Sequence, residues 1–485
     1  MLAFFKALPP YKALILSILG GYLLLPSGVA VDLPMVPPLD KASVTALVAL
    51  VLCFTLVKRT QKKPTINGRA KRSALGPEGN SRSSKAPGLS NGATGTRVFF
   101  IFFLAVLLSP FLTVLQNGDS VMAGPRFIAG LRPYDGVSMS VNLFIALVPF
   151  LLGMRFLAAV DQHRYLVTAL AISGALYAFL VLFEVRMSPR LHIWIYGFFQ
   201  HSWVQHIRGG GFRPIVFLEH GLAVGLFLAT AMVAASERWR EAAKTRFGRF
   251  PWVVTTLWIG LALFLSRNLA AEMLALLFLP VVLLFKVRKQ MLVSALVALT
   301  FLTFPLLRGA DLFPIETIVN VAAEIDPRRA ESLQFRFGHE DALFARAQEK
   351  PLVGWGGWGR NRLYDERTGA DLSVTDGAWV IVIGTYGWFG YIAQFGLMAL
   401  PLLMIWRLER RSPGSVEPAT AALAMIMALS LIYLIPNDFR NPIFWLVAGA
   451  LAGRYQHAVA HEGRPKAETR GSISRRPGVH PHRMP

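Results

Sequence analysis

Apolar residues in this chain fall into long unbroken blocks, not into the period-2 or period-3.6 stripes of half-buried strands and helices. Twelve blocks are close to the roughly 17–25 residues a helix needs to cross a bilayer core. They lie at 13–30, 42–57, 98–117, 138–160, 165–184, 215–235, 251–266, 269–285, 291–307, 377–406, 419–435 and 442–454. The pattern predicts an all-α fold, a polytopic transmembrane helical bundle of about 12 spans with one large extracytoplasmic loop at 308–376. The block at 377–406 is long for one helix, and Gly384, Gly387 and Gly390 would let it bend or divide. The chain then divides into N-terminal helices (1–57), a linker (58–97), a central helical group (98–307), the large loop (308–376), C-terminal helices (377–454) and a tail (455–485).

Composition agrees. Only 16% of residues are charged and mean hydropathy is +0.47, where soluble domains carry about 25% charge. The net charge of +22 would suggest nucleic acid on a soluble protein. Here the surplus sits in short segments between apolar blocks, as the positive-inside rule requires, so no nucleic-acid partner is expected. The segment 58–97 holds ten Lys and Arg against Glu78 alone and is rich in Ser, Gly and Pro, which predicts a disordered basic linker. Basic residues also cluster at 236–250, 286–290, 407–411 and beyond 455. With twelve spans all of these share one side, the cytoplasm, together with both termini. Lys6 and Lys12 precede an apolar run with no small-x-small cleavage site, which reads as an uncleaved first helix. The single cysteine, Cys53, excludes an intrachain disulfide and a cysteine zinc site.

The opposite side receives 118–137, 185–214, the turn at Arg267 and the loop 308–376, which holds nine basic and twelve acidic residues. Residues 330–350 read as an amphipathic helix ended by Pro351. Ionisable residues at this boundary are functional candidates, because charge at membrane depth is costly. They are Arg213, Glu219, His220, Arg267, Glu272, Arg336, Asp376, Asp438 and Arg440. Arg213 follows Gly209–Gly211 and is either an interfacial arginine reaching headgroups or a planar fork for phosphate oxygens. Arg267 sits in a tight Ser-Arg-Asn turn between apolar blocks and needs an anionic partner, either Glu272 or a ligand. Asp376 can cap the helix that follows it or act on an acceptor hydroxyl, and the two roles are compatible. The glycines of VGWGGWGRNR (353–362) could form an anion nest of backbone N–H groups or an interfacial turn. No nucleophile triad or Walker loop is visible, and His220, His339 and the tail histidines make no ligand set, so neither metal nor organic cofactor is expected.

Four stretches together resemble the O-antigen ligase and O-antigen polymerase superfamily of bacterial membrane glycosyltransferases. They are GGGFRPIVFLEHGLAVGLFLA (209–229), LFLSRNLAAEMLALL (263–277), the run from Ser332 to Gly359 ending ARAQEKPLVGWGGWG, and TDGAWVIVIGTYGWFGYIAQFGL (375–397). The resemblance covers about 209–406, and order and spacing carry it, since each motif alone is degenerate. It implies a membrane glycosyltransferase of the bacterial inner membrane, active on the periplasmic face. The donor would be an undecaprenyl-pyrophosphate-linked glycan and the acceptor a glycan or lipid hydroxyl. Surrounding membrane lipids and polysaccharide export and chain-length proteins are the further partners implied. Arg213 and Arg267, and with them Arg336, would hold the pyrophosphate, while Glu219, His220 and Arg440 are substrate-binding candidates by their charge at the membrane boundary. Asp376 would act on the acceptor. Ligases of the family usually have histidine where this chain has Asp376, which favours a polymerase of O-antigen, capsule or exopolysaccharide over a ligase to lipid A core. A lipid-linked oligosaccharide flippase is the alternative of another class; it would need a charged path through the bundle.

Overall fold

The computed structural model describes residues 1–32, 37–60, 90–208, 210–242, 246–325 and 327–462. Most of the expected basic linker and the tail beyond 462 lie outside the described residues. Helices dominate because the apolar blocks leave backbone N–H and C=O groups no partners in lipid except one another. In chain order they are α1 (Leu2–Ala7), α2 (Pro10–Leu24), α3 (Lys41–Thr60) and α4 (Ser90–Leu115). A small hairpin of β1 (Val121–Ala123) and β2 (Arg126–Ile128) pairs Val121 with Ile128. Then come α5 (Pro133–Phe156), α6 (Val160–Met187) and α7 (Leu191–Tyr196), followed by a second hairpin of β3 (Ile207–Arg208) and β4 (Gly211–Phe212). The chain continues through α8 (Gly221–Ala242), α9 (Arg246–Leu265), α10 (Leu269–Leu284) and α11 (Val287–Gly309). The large loop folds as α12 (Ile315–Ile325) and α13 (Pro327–Gln348), and the chain closes with α14 (Ala378–Arg411), α15 (Pro418–Tyr433) and α16 (Pro442–Glu462).

A helix coincides with each of the twelve apolar blocks. Among the described residues, seven helices are long and apolar enough to cross a membrane: 97–115, α5, α6, α8, 248–265, α11 and α14. Four more, α2, residues 41–56 of α3, α10 and α15, are apolar but shorter. The chain is therefore an all-α polytopic membrane protein. The most apolar stretch of α8 is 89% buried and that of α9 only 22%, so α8 lies inside the bundle and α9 on its rim. α15 is buried along nearly its whole length and packs on α8 and α11. α5 and α16 approach closely because Gly153, Gly449 and Gly453 face the opposite backbone, where any Cβ would collide.

Two expected spans differ in detail. The sixth begins at Gly221, not at 215. Residues 215–220 form an irregular turn: Val216 adopts φ 52°, and the N–H groups of Ile215, Val216 and Phe217 bond to side chains of α6 instead of to a helix turn. The tenth divides, as its glycines allow: α14 breaks at Gly387, where φ is 64°. The chain at 351–356 fills the break. Trp355 N–H and Gly356 N–H donate to the Gly384 and Thr385 carbonyls at 2.8 and 2.9 Å, and Trp388 N–H and Phe389 N–H donate to the Pro351 and Leu352 carbonyls at 2.8 and 3.1 Å. Only glycine fits at 387, because a Cβ would run into the backbone of Leu352 and Val353.

This docking takes part of the anion-nest candidate at 353–362. Gly354 N–H is bonded to Lys350 O, Trp355 and Gly356 N–H to α14, and Arg360 N–H to Gly357 O, so these donors are spent on fold. Arg360, 1% exposed, donates to the carbonyls of Asp119, Ala129 and Trp355 at 2.8–3.1 Å. It ties the large loop to the segment around the first hairpin. Lys350 adds bonds to Gln116 O and Asn117 Oδ1 at 2.8 and 2.9 Å.

Candidate functional site

Four segments far apart in sequence meet around the turn that joins α15 to α16. Tyr433, at the end of α15, donates to Leu222 O at 2.9 Å and accepts from Asn268 Nδ2 at 3.1 Å. Asn268 follows Arg267 and caps α10. One residue on, Leu434 O accepts Ala378 N–H at 3.1 Å, which brings in Asp376. Phe439, in the same turn, stacks on His220 with centroids 5.9 Å apart. Arg213 and Arg336 both lie within electrostatic reach of the Tyr433 hydroxyl. The expected residues Arg213, His220, Arg267, Arg336, Asp376 and Arg440 thus share one end of the bundle.

The arginine segment is held from beneath by a carboxylate. Glu184, buried in α6, accepts the N–H groups of Ile215 and Val216 at 2.9 and 2.8 Å through one oxygen and that of Leu191 at 3.0 Å through the other. Tyr177 takes Phe217 N–H at 3.2 Å. The second hairpin, with Ile207 opposite Phe212, ends on a bond from Arg213 N–H to His206 O at 2.7 Å. The Arg213 stem packs on Gly221, and its Nη2 donates to Arg267 O at 3.3 Å. Arg267 has φ 57°, a left-handed conformation unusual for a residue with a side chain. Its guanidinium lies over Gly211, so closely that a Cβ there would sit 2.6 Å from Nη2. Two cations held at one corner, one of them on a strained turn, form an arrangement suited to a multiply charged anion.

Arg336 pairs with the expected acceptor-side carboxylate. Its Nε is 3.5 Å from Asp376 Oδ2, and both side chains are partly exposed. Beside them sits Glu340, 4% exposed, with Oε2 lacking a hydrogen-bond partner among the described residues. Burial pushes its carboxyl up to about 7, opposed by Arg308 and Arg336 and reinforced by Asp341 and Asp376. The opposite face of α13, with Glu331, Phe335 and His339, borders an open cavity of about 520 Å³ against Leu363 and Leu372.

Glu219 and Arg440 are drawn into ion pairs. Glu219 faces Lys41 at 3.7 Å, and Lys41 also donates to Ser27 Oγ and Phe217 O at 2.7 and 3.0 Å. Arg440 forms a two-pronged pair with Asp438, both bonds 2.7 Å, and donates to Gln394 Oε1 at 3.0 Å. This group lines a separate polar pocket of about 330 Å³ with Asn142, Tyr386 and Trp445.

Histidine presents the largest departure from the sequence expectation. His220 is grouped with two histidines that spacing along the chain does not place near it. It joins His201 and His206, and one ligand atom from each lies within 4.8 Å of the others. The hairpin after His206 folds the chain back on itself, which spacing along the sequence conceals. Glu184 and Glu340 were also missed. Glu184 carried a signal, an acid inside an apolar block; Glu340 is one of several acids on an amphipathic helix and carried none.

No protein-family model matches the chain, and no curated protein sequence matches it.

Proposed function

We propose that this protein is a twelve-span glycosyltransferase of the bacterial inner membrane, resembling O-antigen polymerases and ligases, with both termini cytoplasmic and the large loop periplasmic. It moves a glycan from an undecaprenyl-pyrophosphate carrier to an acceptor hydroxyl, and polymerisation is favoured over ligation because Asp376 stands where ligases usually have histidine. The observation that carries this reading is the meeting of Arg213 and Arg267 with the Asp376–Arg336 pair around residues 433–439.

In this reaction the acceptor oxygen attacks the anomeric carbon and the bond from that carbon to the carrier phosphate oxygen breaks. Negative charge gathers on the departing pyrophosphate. Guanidiniums already fixed in place stabilise that charge without reorganising, which is the largest contribution a site of this kind can make. Arg213 and Arg267 take this role. Asp376, held by Arg336, orients the acceptor hydroxyl and accepts its proton.

The test is glycan analysis of a deletion strain complemented with wild type, Arg213→Ala, Arg267→Ala or Asp376→Ala, with membrane levels of each variant matched. Single repeat units on the lipid carrier in the variants support a polymerase. Full-length polymer left on the carrier supports a ligase. Full activity in all three variants would overturn the reading, and lipid-linked repeats trapped on the cytoplasmic face would replace it with a flippase.

A further inference from the structure

We infer that His201, His206 and His220 form a binding site for a divalent transition-metal ion with an open coordination position. Their ligand atoms lie within 4.8 Å of one another. An ion at about 2.0–2.1 Å from each nitrogen in tetrahedral geometry sets nitrogen separations near 3.4 Å, so binding closes the widest gap by about 1.4 Å. Side-chain rotations at His201 and His220, both partly exposed, can supply this.

The rings are oriented for the task. His206 is fully buried, and its Nδ1 lies 3.3 Å from Arg213 O, where it can only donate. That bond fixes the tautomer and leaves the Nε2 lone pair as the ligand, the usual outer-shell arrangement of a metal-bound histidine. His201 stands edge-on to both partners, with centroids 5.2 Å from His206 and 4.8 Å from His220. His220 Nδ1 accepts Leu222 N–H at 3.0 Å. A neutral imidazole has one lone pair, so an ion at His220 takes the one now shared with Leu222, whose N–H is in the first turn of α8 and has no helical acceptor.

Ligand chemistry selects the ion. Three imidazoles and no carboxylate suit Zn²⁺, Co²⁺ or Ni²⁺, not Mg²⁺ or Ca²⁺, which require oxygen. Three protein ligands leave at least one position open. Neutral ligands also leave the ion its full charge beside Arg213, so an anionic oxygen is the preferred fourth ligand. That this oxygen belongs to a phosphate rests on the function proposed above.

The test uses purified full-length protein in detergent, stripped with a chelator and titrated with Co²⁺ alone. One ion per chain is expected, with the intense visible ligand-field bands of four-coordinate cobalt, and inorganic phosphate should shift the bands and tighten binding. His201→Ala and His206→Ala should each weaken binding at least about tenfold, and His201→Gln, at a partly exposed position, guards against misfolding as the cause. Arg267→Ala should keep the cobalt site while losing glycan transfer, so the two proposals fail separately. Absence of bound cobalt, or equal affinity in a His201→Ala, His206→Ala double variant, would overturn the site. Bands indifferent to phosphate would overturn its assignment to a phosphate oxygen.

Discussion

Replacing Glu340 by glutamine should make the docking of α13 nearly independent of pH. The carboxyl is buried against Gly377, where a Cβ would lie 3.0 Å from its Oε1, and burial holds it at about 7 against an ordinary value of 4.5. The sign follows from proton linkage. Below about 4.5 both docked and undocked forms are protonated and Glu340 adds nothing. Between 4.5 and about 7 the undocked form releases its proton while the docked form keeps it, so docking weakens as pH rises. Above 7 the loss is complete, on the order of 3 kcal/mol, or somewhat over a hundredfold in the docking equilibrium. The charges facing Glu340 are Arg308, Arg336, Asp341 and Asp376, and Arg308 is itself paired with Asp341 at 2.7 Å. Hydrogen exchange of α13 peptides in detergent, corrected for the intrinsic pH dependence of exchange, measures the docking directly. Wild type should lose protection between pH 5 and 8, and Glu340→Gln should not. An identical pH profile in both proteins would refute the argument.

Three further substitutions probe the scaffold. Glu184→Ala strips three N–H groups of their acceptor and should cost about 2–4 kcal/mol, read as a lower thermal midpoint and faster proteolysis of 205–220. Gly387→Ala sets a Cβ into the Leu352–Val353 backbone at a left-handed position and should cost more than about 2 kcal/mol, seen as cleavage within 349–377. Arg360→Met leaves three carbonyls without their donor and should cost about 2–4 kcal/mol, loosening the large loop from the first hairpin in the same protease assay while α8 and α15 stay protected.

Long-range order was easy to read from the chain where it depends on solvent transfer. Each apolar block became a helix because lipid leaves the backbone no other partner. The amphipathic run at 330–350 became α13 for the same reason applied to one face of a helix. What the pattern could not express was pairing between segments. Ile215 and Val216 are as apolar as the helix that follows them, yet a single carboxylate on α6 keeps them out of it. The glycines at 354–359 have the composition of an anion nest, but the break at Gly387 takes the donors of Trp355 and Gly356. Of the site residues, Arg213, Arg267 and Asp376 could be singled out because charge at a membrane boundary is unusual. Arg336 could be singled out too, but its partner could not, since the distance from α13 to Asp376 is a tertiary property. The histidines failed for a related reason: His201 and His206 lie in a loop between apolar blocks, where an imidazole raises no alarm.

Cations at the loop end divide into two kinds by what they touch. Arg360 and Lys350 spend their donors on backbone carbonyls, and Arg440 and Lys41 face carboxylates at 2.7 and 3.7 Å. Charges of this kind hold segments together, and removing one strands its partners, so their loss should appear first as instability. Arg213 and Arg267 lie side by side. One offers its guanidinium to the backbone of the other, which sits on a strained turn, and neither position is one that helix formation would choose. Like charges brought to one corner repel, and a nearby anion, from the protein or from a ligand, offsets the cost. Their juxtaposition, more than the number of arginines present, is what the proposed pyrophosphate site rests on. Arg267→Ala should leave a folded protein that fails in the proposed glycan transfer, whereas Arg360→Met should leave one that has lost its loop.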